Sequence, residues 1–219
     1  MSFKTLVFAA CLAVAASASI SPWAEAADDT YDWSGPYIGL HSGYLMSSTT
    51  VEDLGVVVER HAKTNGFVGG IMGGYNIQDN SLVYGLDADL GLGFVRGHGG
   101  VAVPPVTPSN TYDLNWIGHL RGRFGMTPNN GNMLLFVGAG VAIADFRFTS
   151  GETGERQSAT YVAPSIGAGM EYGFSPNFTG RAEVVYDMFH MGHGLIALHD
   201  YKARLNNAAT LRVGFSYKF

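Results

Sequence analysis

The sequence predicts an all-β protein, an eight-stranded antiparallel up-and-down transmembrane β-barrel, on three observations. Apolar residues alternate at period two with glycine or polar residues over long segments. The connections between these segments alternate between short and long. No apolar run of helix-spanning length follows Ala27, so the chain is not read as a helical membrane protein.

The N-terminal stretch is set aside first. Met1 to Lys4 is a short basic region, Leu6 to Ala18 is apolar, and Ala24-Glu25-Ala26 places small residues before a cleavage point. Residues 1–26 are therefore expected to be a removed signal peptide, leaving 27–219 as one barrel domain. The apolar run is shorter than the ~20 residues a membrane helix requires. Cys11, the only cysteine, lies inside this leader. Too short an apolar run precedes it for a lipidation site. The remaining chain has no thiol, which excludes disulfides, Cys-ligated metals and a Cys nucleophile.

The strands follow in order. Tyr37 to Met46 puts Ile38, Leu40 and Tyr44 on one face. Gly66 to Ile77 aligns Phe67, Ile71, Tyr75 and Ile77. Leu82 to Val95 is the clearest: Leu82, Tyr84, Leu86, Ala88, Leu90, Leu92 and Phe94 oppose Asp87, Asp89 and three glycines. Leu114 to Met126 sets Leu114, Trp116, Leu120, Phe124 and Met126 against Asn115, His119, Arg121 and Arg123. Leu134 to Phe148 is apolar on both parities, which leaves its facing open. Tyr161 to Phe174 sets Ile166, Ala168, Met170, Tyr172 and Phe174 against Glu171 and glycines. Phe178 to Met188 sets Ala182, Val184, Tyr186 and Met188 against Arg181, Glu183 and Asp187. Leu211 to Phe219 ends the series, with Arg212 and Lys218 opposite its apolar face. Most exceed the ~5–6 residues common in soluble sheets and match the ~9–11 needed to cross a bilayer at a tilt.

Gln78 to Ser81, Thr127 to Asn132 and Ser175 to Asn177 read as turns. Ser47 to Asn65, Gly97 to Asp113, Thr149 to Thr160 and Phe189 to Ala208 read as long loops. Short periplasmic turns and longer outer loops are the topology of outer-membrane barrels, with both termini in the periplasm. Alternation alone would also fit a soluble β-sandwich with its apolar face buried. Strand length, loop alternation and the sparse, balanced charge of the polar face argue against that.

Composition agrees. Glycine accounts for 30 of 219 residues and only 14% are charged, against a typical ~25%. The net charge of −5 without a charge run gives no footprint for nucleic acid. Gly69-Gly70 and Gly91-Leu92-Gly93 lack the Gly-Lys-Ser/Thr ending and following helix of a phosphate loop.

Trp33-Ser34-Gly35-Pro36-Tyr37-Ile38-Gly39 resembles the opening strand of small alphaproteobacterial outer-membrane proteins, the surface-antigen and opacity-type porin family, which is similar to the membrane domain of OmpA-like proteins. Gly167 to Asn177 resembles their sixth strand and turn, Arg181 to Asp187 the seventh, and Leu211 to Phe219 the last. The resemblance covers the whole chain after the leader, except that the loops match nothing recognisable. It implies outer-membrane localisation and recognition of the final strand, with Tyr217 and Phe219, by the barrel-insertion machinery. Lipid and lipopolysaccharide are the implied surroundings.

Candidate chemistry lies first in the lumen. The polar face carries five acids, Asp87, Asp89, Glu171, Glu183 and Asp187. It also carries five bases, Arg121, Arg123, Arg181, Arg212 and Lys218, with His119 among them. An eight-stranded barrel is just wide enough for side chains to fill, so these charges are expected to neutralise one another as a plug. A narrow solute pore is the alternative. His190, His193 and His199, in the last long connection, are candidates for haem, since neutral imidazole ligates metals. A lipid A-modifying enzyme would need a serine such as Ser158 or Ser165 beside His190, His193 and Asp200. Trp33, Tyr37, Trp116, Tyr172 and Phe219 are expected in membrane-interface girdles. The resulting expectation is a non-enzymatic structural and surface-antigen barrel without cofactor or metal. It would support envelope integrity and display four loops to an extracellular ligand.

Overall fold

The structure is a computed structural model that describes residues 31–53, 56–99, 110–128, 131–149, 156–189, 193–194 and 202–219. The long strands in chain order are β1 (Gly35–Asp53), β2 (Val56–Asp79), β3 (Leu82–Gly99), β4 (Asn110–Met126), β5 (Met133–Thr149), β6 (Arg156–Ser175) and β7 (Phe178–Asp187). After them come a two-residue strand β8 (His193–Gly194) and the long β9 (Lys202–Lys218). Each long strand pairs antiparallel with its sequence neighbour from β1 to β7, and β9 joins β7 to β1. The eight long strands thus form a closed ring, which leaves no open sheet edge for a bilayer to solvate. β8 only appends to β6, pairing His193 with Val162.

The alternation read from the sequence sets what faces where. Phe94 is 73% exposed and Leu40 67%, whereas Val83 and Val95 on the opposite parity are 1% exposed. A sandwich would bury the first set. In this ring the greasy parity is the outer wall, and the interior is filled from the other parity.

β5 takes one of its two open facings. Leu135, Val137, Val141 and Ile143 point outward, and Leu134, Phe136, Ala142 and Ala144 point inward. The lumen has apolar neighbours for these inward residues at both ends, which pattern along β5 alone cannot show.

Two expectations are corrected. Leu114 was expected outward but is 1% exposed in the interior. The register slips between Leu114 and Trp116 against β5, leaving Asn115 as an extra residue. Such a bulge reverses parity beyond it. The second correction concerns the long loops. β1 and β2 continue pairing from Met46↔Asn65 to Asp53↔Val56, so most of the predicted loop Ser47 to Asn65 is a protruding hairpin. Above the apolar band both strand faces can be polar, so hydrophobic alternation fades while backbone pairing persists.

The opposite rim is tight. Asp79 pairs with Leu82 across Asn80 and Ser81, and Asn80 takes φ 54°, a left-handed conformation that Asn tolerates. Pro176 and Asn177 turn β6 into β7.

Candidate functional site in the barrel lumen

Together the strands stack the inward residues in three layers from the short-turn rim upward. On β3 the inward residues run Val83, then Asp87 and Asp89, then Val95. On β4, read in reverse, they run Arg123, Arg121 and His119, then Ile117 and Leu114. The interior is therefore an apolar floor, a charged middle and an apolar ceiling. The floor is Tyr31, Trp33, Val83, Leu134 and Phe136. The ceiling includes Leu45, Val68, Val95, Ile117 and Phe189, with Phe146 and Tyr161 against them. Phe189 meets Phe146 edge-on at 5.9 Å.

The middle layer joins strands from opposite walls. Arg181 on β7 holds Asp87 on β3 at 2.6 Å, and Arg121 reaches the other Asp87 oxygen at 3.2 Å. Tyr37 donates its hydroxyl proton to Asp87 at 2.6 Å and accepts from Arg123 and Arg181, each at 3.2 Å. Glu171 accepts from Arg123 at 2.8 Å and from Thr179 at 2.9 Å. Arg121 and Arg212 grip the two oxygens of Glu183 at 2.6 and 2.9 Å. Arg212 also meets Asp89 at 3.0 Å. Phe136 is a ring platform for Arg123 and Arg181, whose guanidinium carbons lie 4.3 and 5.2 Å from its centroid. Gly167 makes room for this layer: a Cβ there would stand 2.7 Å from Arg121 Nη1 and 2.8 Å from Glu183 Oε1.

Five carboxylates face four guanidiniums in this layer. His119 supplies the balance. Its Nδ1 lies 2.8 Å from Asp89 and its Nε2 3.2 Å from Asp187. Both ring nitrogens can donate to these carboxylates only in the imidazolium form, which brings the layer to zero net charge. His41 stands 4.0 Å from Asp89 in the same layer. All these charged side chains are buried, where an unpaired charge would cost several kcal/mol.

The structure brings Asp87, Asp89, Arg121, Arg123, Glu171, Arg181, Glu183, Asp187 and Arg212 into this layer. Lys218 is apart from it. It occupies the last rung, opposite Tyr37. Its Nζ donates to the Asp32 carbonyl and lies 5.2 Å from the Tyr31 ring centroid. Its parity is inward, but β9 has by then reached the rim. Trp33 and Tyr37 also depart from the expected girdle, at 1% and 6% exposure. Tyr37 has the parity opposite to Ile38 and Leu40, a signal that could have placed it inside. Trp33 precedes β1, where parity gives no guidance. Trp116, Tyr172 and Phe219 lie on the outer wall, and Phe219 packs edge-on with Tyr217 at 5.2 Å.

Outside the membrane-crossing strands, burial raises the Tyr31 phenol to about 12, with the Glu171 and Asp32 charges adding to the effect. Asp32 is held below the usual carboxylate range, chiefly by the backbone N–H of Ser34, which donates to it at 2.8 Å.

The histidine and Ser/His/Asp candidates fall largely outside the described residues. His190, His199 and Asp200 lie outside the described residues, and only the backbone of His193 is described. Among the described residues no group of three or more His, Cys, Asp and Glu could hold a metal ion. Ser158 is exposed while Ser165 is buried in the lumen at 1% exposure. They share β6 seven residues apart, on opposite faces.

Comparison with known proteins agrees with this architecture. The family "Outer membrane protein beta-barrel domain" matches residues 7–219. The 31 kDa outer-membrane immunogenic protein of Brucella melitensis is 30% identical over 207 residues, covering 87% of this chain and 85% of that protein. The 22 kDa outer membrane protein of Rhizobium leguminosarum bv. viciae is 36% identical over 155 residues, 70% of this chain and 63% of that protein. The crystal structure of Neisserial surface protein A superposes with a TM-score of 0.56 at 16% identity, covering 85% of this chain and 98% of that one. That likeness concerns the fold. A closed ring of eight long strands, an apolar outer wall and a family match over nearly the whole chain lead to one conclusion: the chain belongs to the outer-membrane β-barrel family and resides in the outer membrane.

Proposed function

We propose that the protein is a sealed barrel with a structural and surface-antigen role. It anchors in the outer membrane, supports envelope integrity and presents its long connections outward, with the short turns in the periplasm. The observation that carries this reading is the charged layer, paired across the bore and enclosed between apolar floor and ceiling. A water-filled path would need to cross both apolar layers and separate ion pairs as short as 2.6 Å. The Brucella relatives are named immunogenic proteins, which supports exposure of the long connections at the cell surface.

The same reading places the signal peptide at residues 1–26, lipopolysaccharide around the outer rim, and the insertion machinery on Tyr217 and Phe219 of the last strand. Reconstitution into planar bilayers tests the seal. The purified barrel is expected to give no stepwise single-channel current, and liposomes containing it should not swell in small sugars. Steady ohmic conductance from correctly folded protein would replace this reading with the narrow porin. Surface display is checked by inserting an epitope within residues 100–109 and staining intact cells.

A further inference from the structure

Just before β1, Tyr31 to Ser34 lie across the mouth at the short-turn rim. The Trp33 backbone N–H donates to Gln78 Oε1 at 2.7 Å, and the Gln78 backbone N–H donates back to Ser34 Oγ at 3.1 Å. This reciprocal pair pins the segment to the end of β2. The Trp33 indole N–H reaches the Gly131 carbonyl between β4 and β5 at 3.4 Å. The Tyr31 hydroxyl reaches the Pro176 carbonyl between β6 and β7 at 3.5 Å. A Cβ on Gly173 would stand 2.4 Å from the Tyr31 ring, so this glycine admits the phenol. Lys218 of β9 completes the circuit through the Asp32 carbonyl and the Tyr31 ring.

These anchors lie on β2, the β4–β5 turn, the β6–β7 turn and β9. They surround one mouth only when β9 has paired with β1 and β5 with β6. We propose that Tyr31 to Ser34 form a latch that docks after the ring has closed, then shuts the short-turn mouth and holds the β1–β9 seam. The seam is the junction of the first and last strands, so it forms last if strands add in order. Opening it draws Lys218 away from the segment continuous with β1. Contacts made only after the rate-limiting step slow unfolding and leave folding unchanged. The hold on the β1–β9 seam concerns the barrel wall and stands whether or not the lumen conducts, whereas the shut mouth rests on the sealed-barrel reading.

The test uses the chain from Ala27 onward, refolded into lipid vesicles, with the double variant Tyr31→Ala/Trp33→Ala. Loss of two buried aromatic rings is expected to speed unfolding in urea by about a hundredfold while insertion changes by less than about threefold. A parallel slowing of insertion would show that the segment docks before closure and would overturn the proposal, as would an unchanged unfolding rate. A second measurement reads the mouth directly. The chain from Ala27 onward has no cysteine, so Val83→Cys, at a site 1% exposed in the same apolar cluster as Trp33, reports entry of a water-soluble maleimide. Labelling should be slow with the latch intact and at least about tenfold faster without it. Equal labelling with and without the latch would remove its closing role.

Discussion

Arg181 shows how much can rest on one side chain. It meets Asp87 at 2.6 Å, Glu171 at 3.4 Å and the Tyr37 hydroxyl at 3.2 Å. Arg181→Ala leaves buried carboxylates short of a partner, a loss that typically costs about 3–5 kcal/mol. Urea unfolding of the refolded barrel should show a loss of that size. A shift under about 1 kcal/mol, as for an exposed pair, would mean that water reaches this layer. Tyr31 yields a pH prediction. Its phenol ionises near 10 when the chain is unfolded and near 12 when folded. Between these values the unfolded chain releases a proton that the folded chain keeps, so stability falls as pH rises from 10 to 12. Tyr31→Phe lacks this component, and unfolding midpoints across that interval should fall less steeply for it than for the parent. At this scale the sequence reveals the inward parity of the charges but not their partners. Asp87 and Arg181 are 94 positions apart, and nothing local couples them. Lys218 shares the parity without joining the layer, because parity reports facing and not height along the bore.

At the scale of elements, legibility follows the bilayer. β3 reads directly, since hydrocarbon outside and packed lumen inside impose opposite chemistry on alternate residues. β5 does not read, because its inward positions meet the apolar floor and ceiling. The Asn115 bulge was hidden as well: its parity reversal puts Leu114 inside, and a lone apolar residue signals neither facing. The protruding β1–β2 hairpin escaped for a different reason, as no solvent boundary remains to pattern it. That hairpin sets an expectation. Deleting residues 50–59 removes paired strand beyond the apolar band, with the rungs of Thr50 to Glu52 to β9, and leaves Thr49↔Ala62 as the last pair. The barrel should still insert, and its urea stability should change by less than about 1 kcal/mol. Failure to fold would assign the hairpin a role in closing the ring.

For the whole molecule, the sequence conveyed the architecture, the strand number and the membrane setting, while the three-layer interior emerged only on closure. The layering has an electrostatic signature. Paired charges enclosed between apolar layers are screened far less than surface pairs. Raising salt from about 0.05 to 1 M should therefore leave the thermal transition almost unmoved. A drop of many degrees would indicate that ions enter the bore.

The Arg181–Asp87 and Arg121–Glu183 pairs act as spokes, tying far walls of a wheel to each other. A hollow ring of the same circumference could flatten into an ellipse when neighbouring lipids press on it. A spoked ring keeps its cross-section, so this protein would stand among its neighbours as a rigid post whose outline does not yield to lateral pressure.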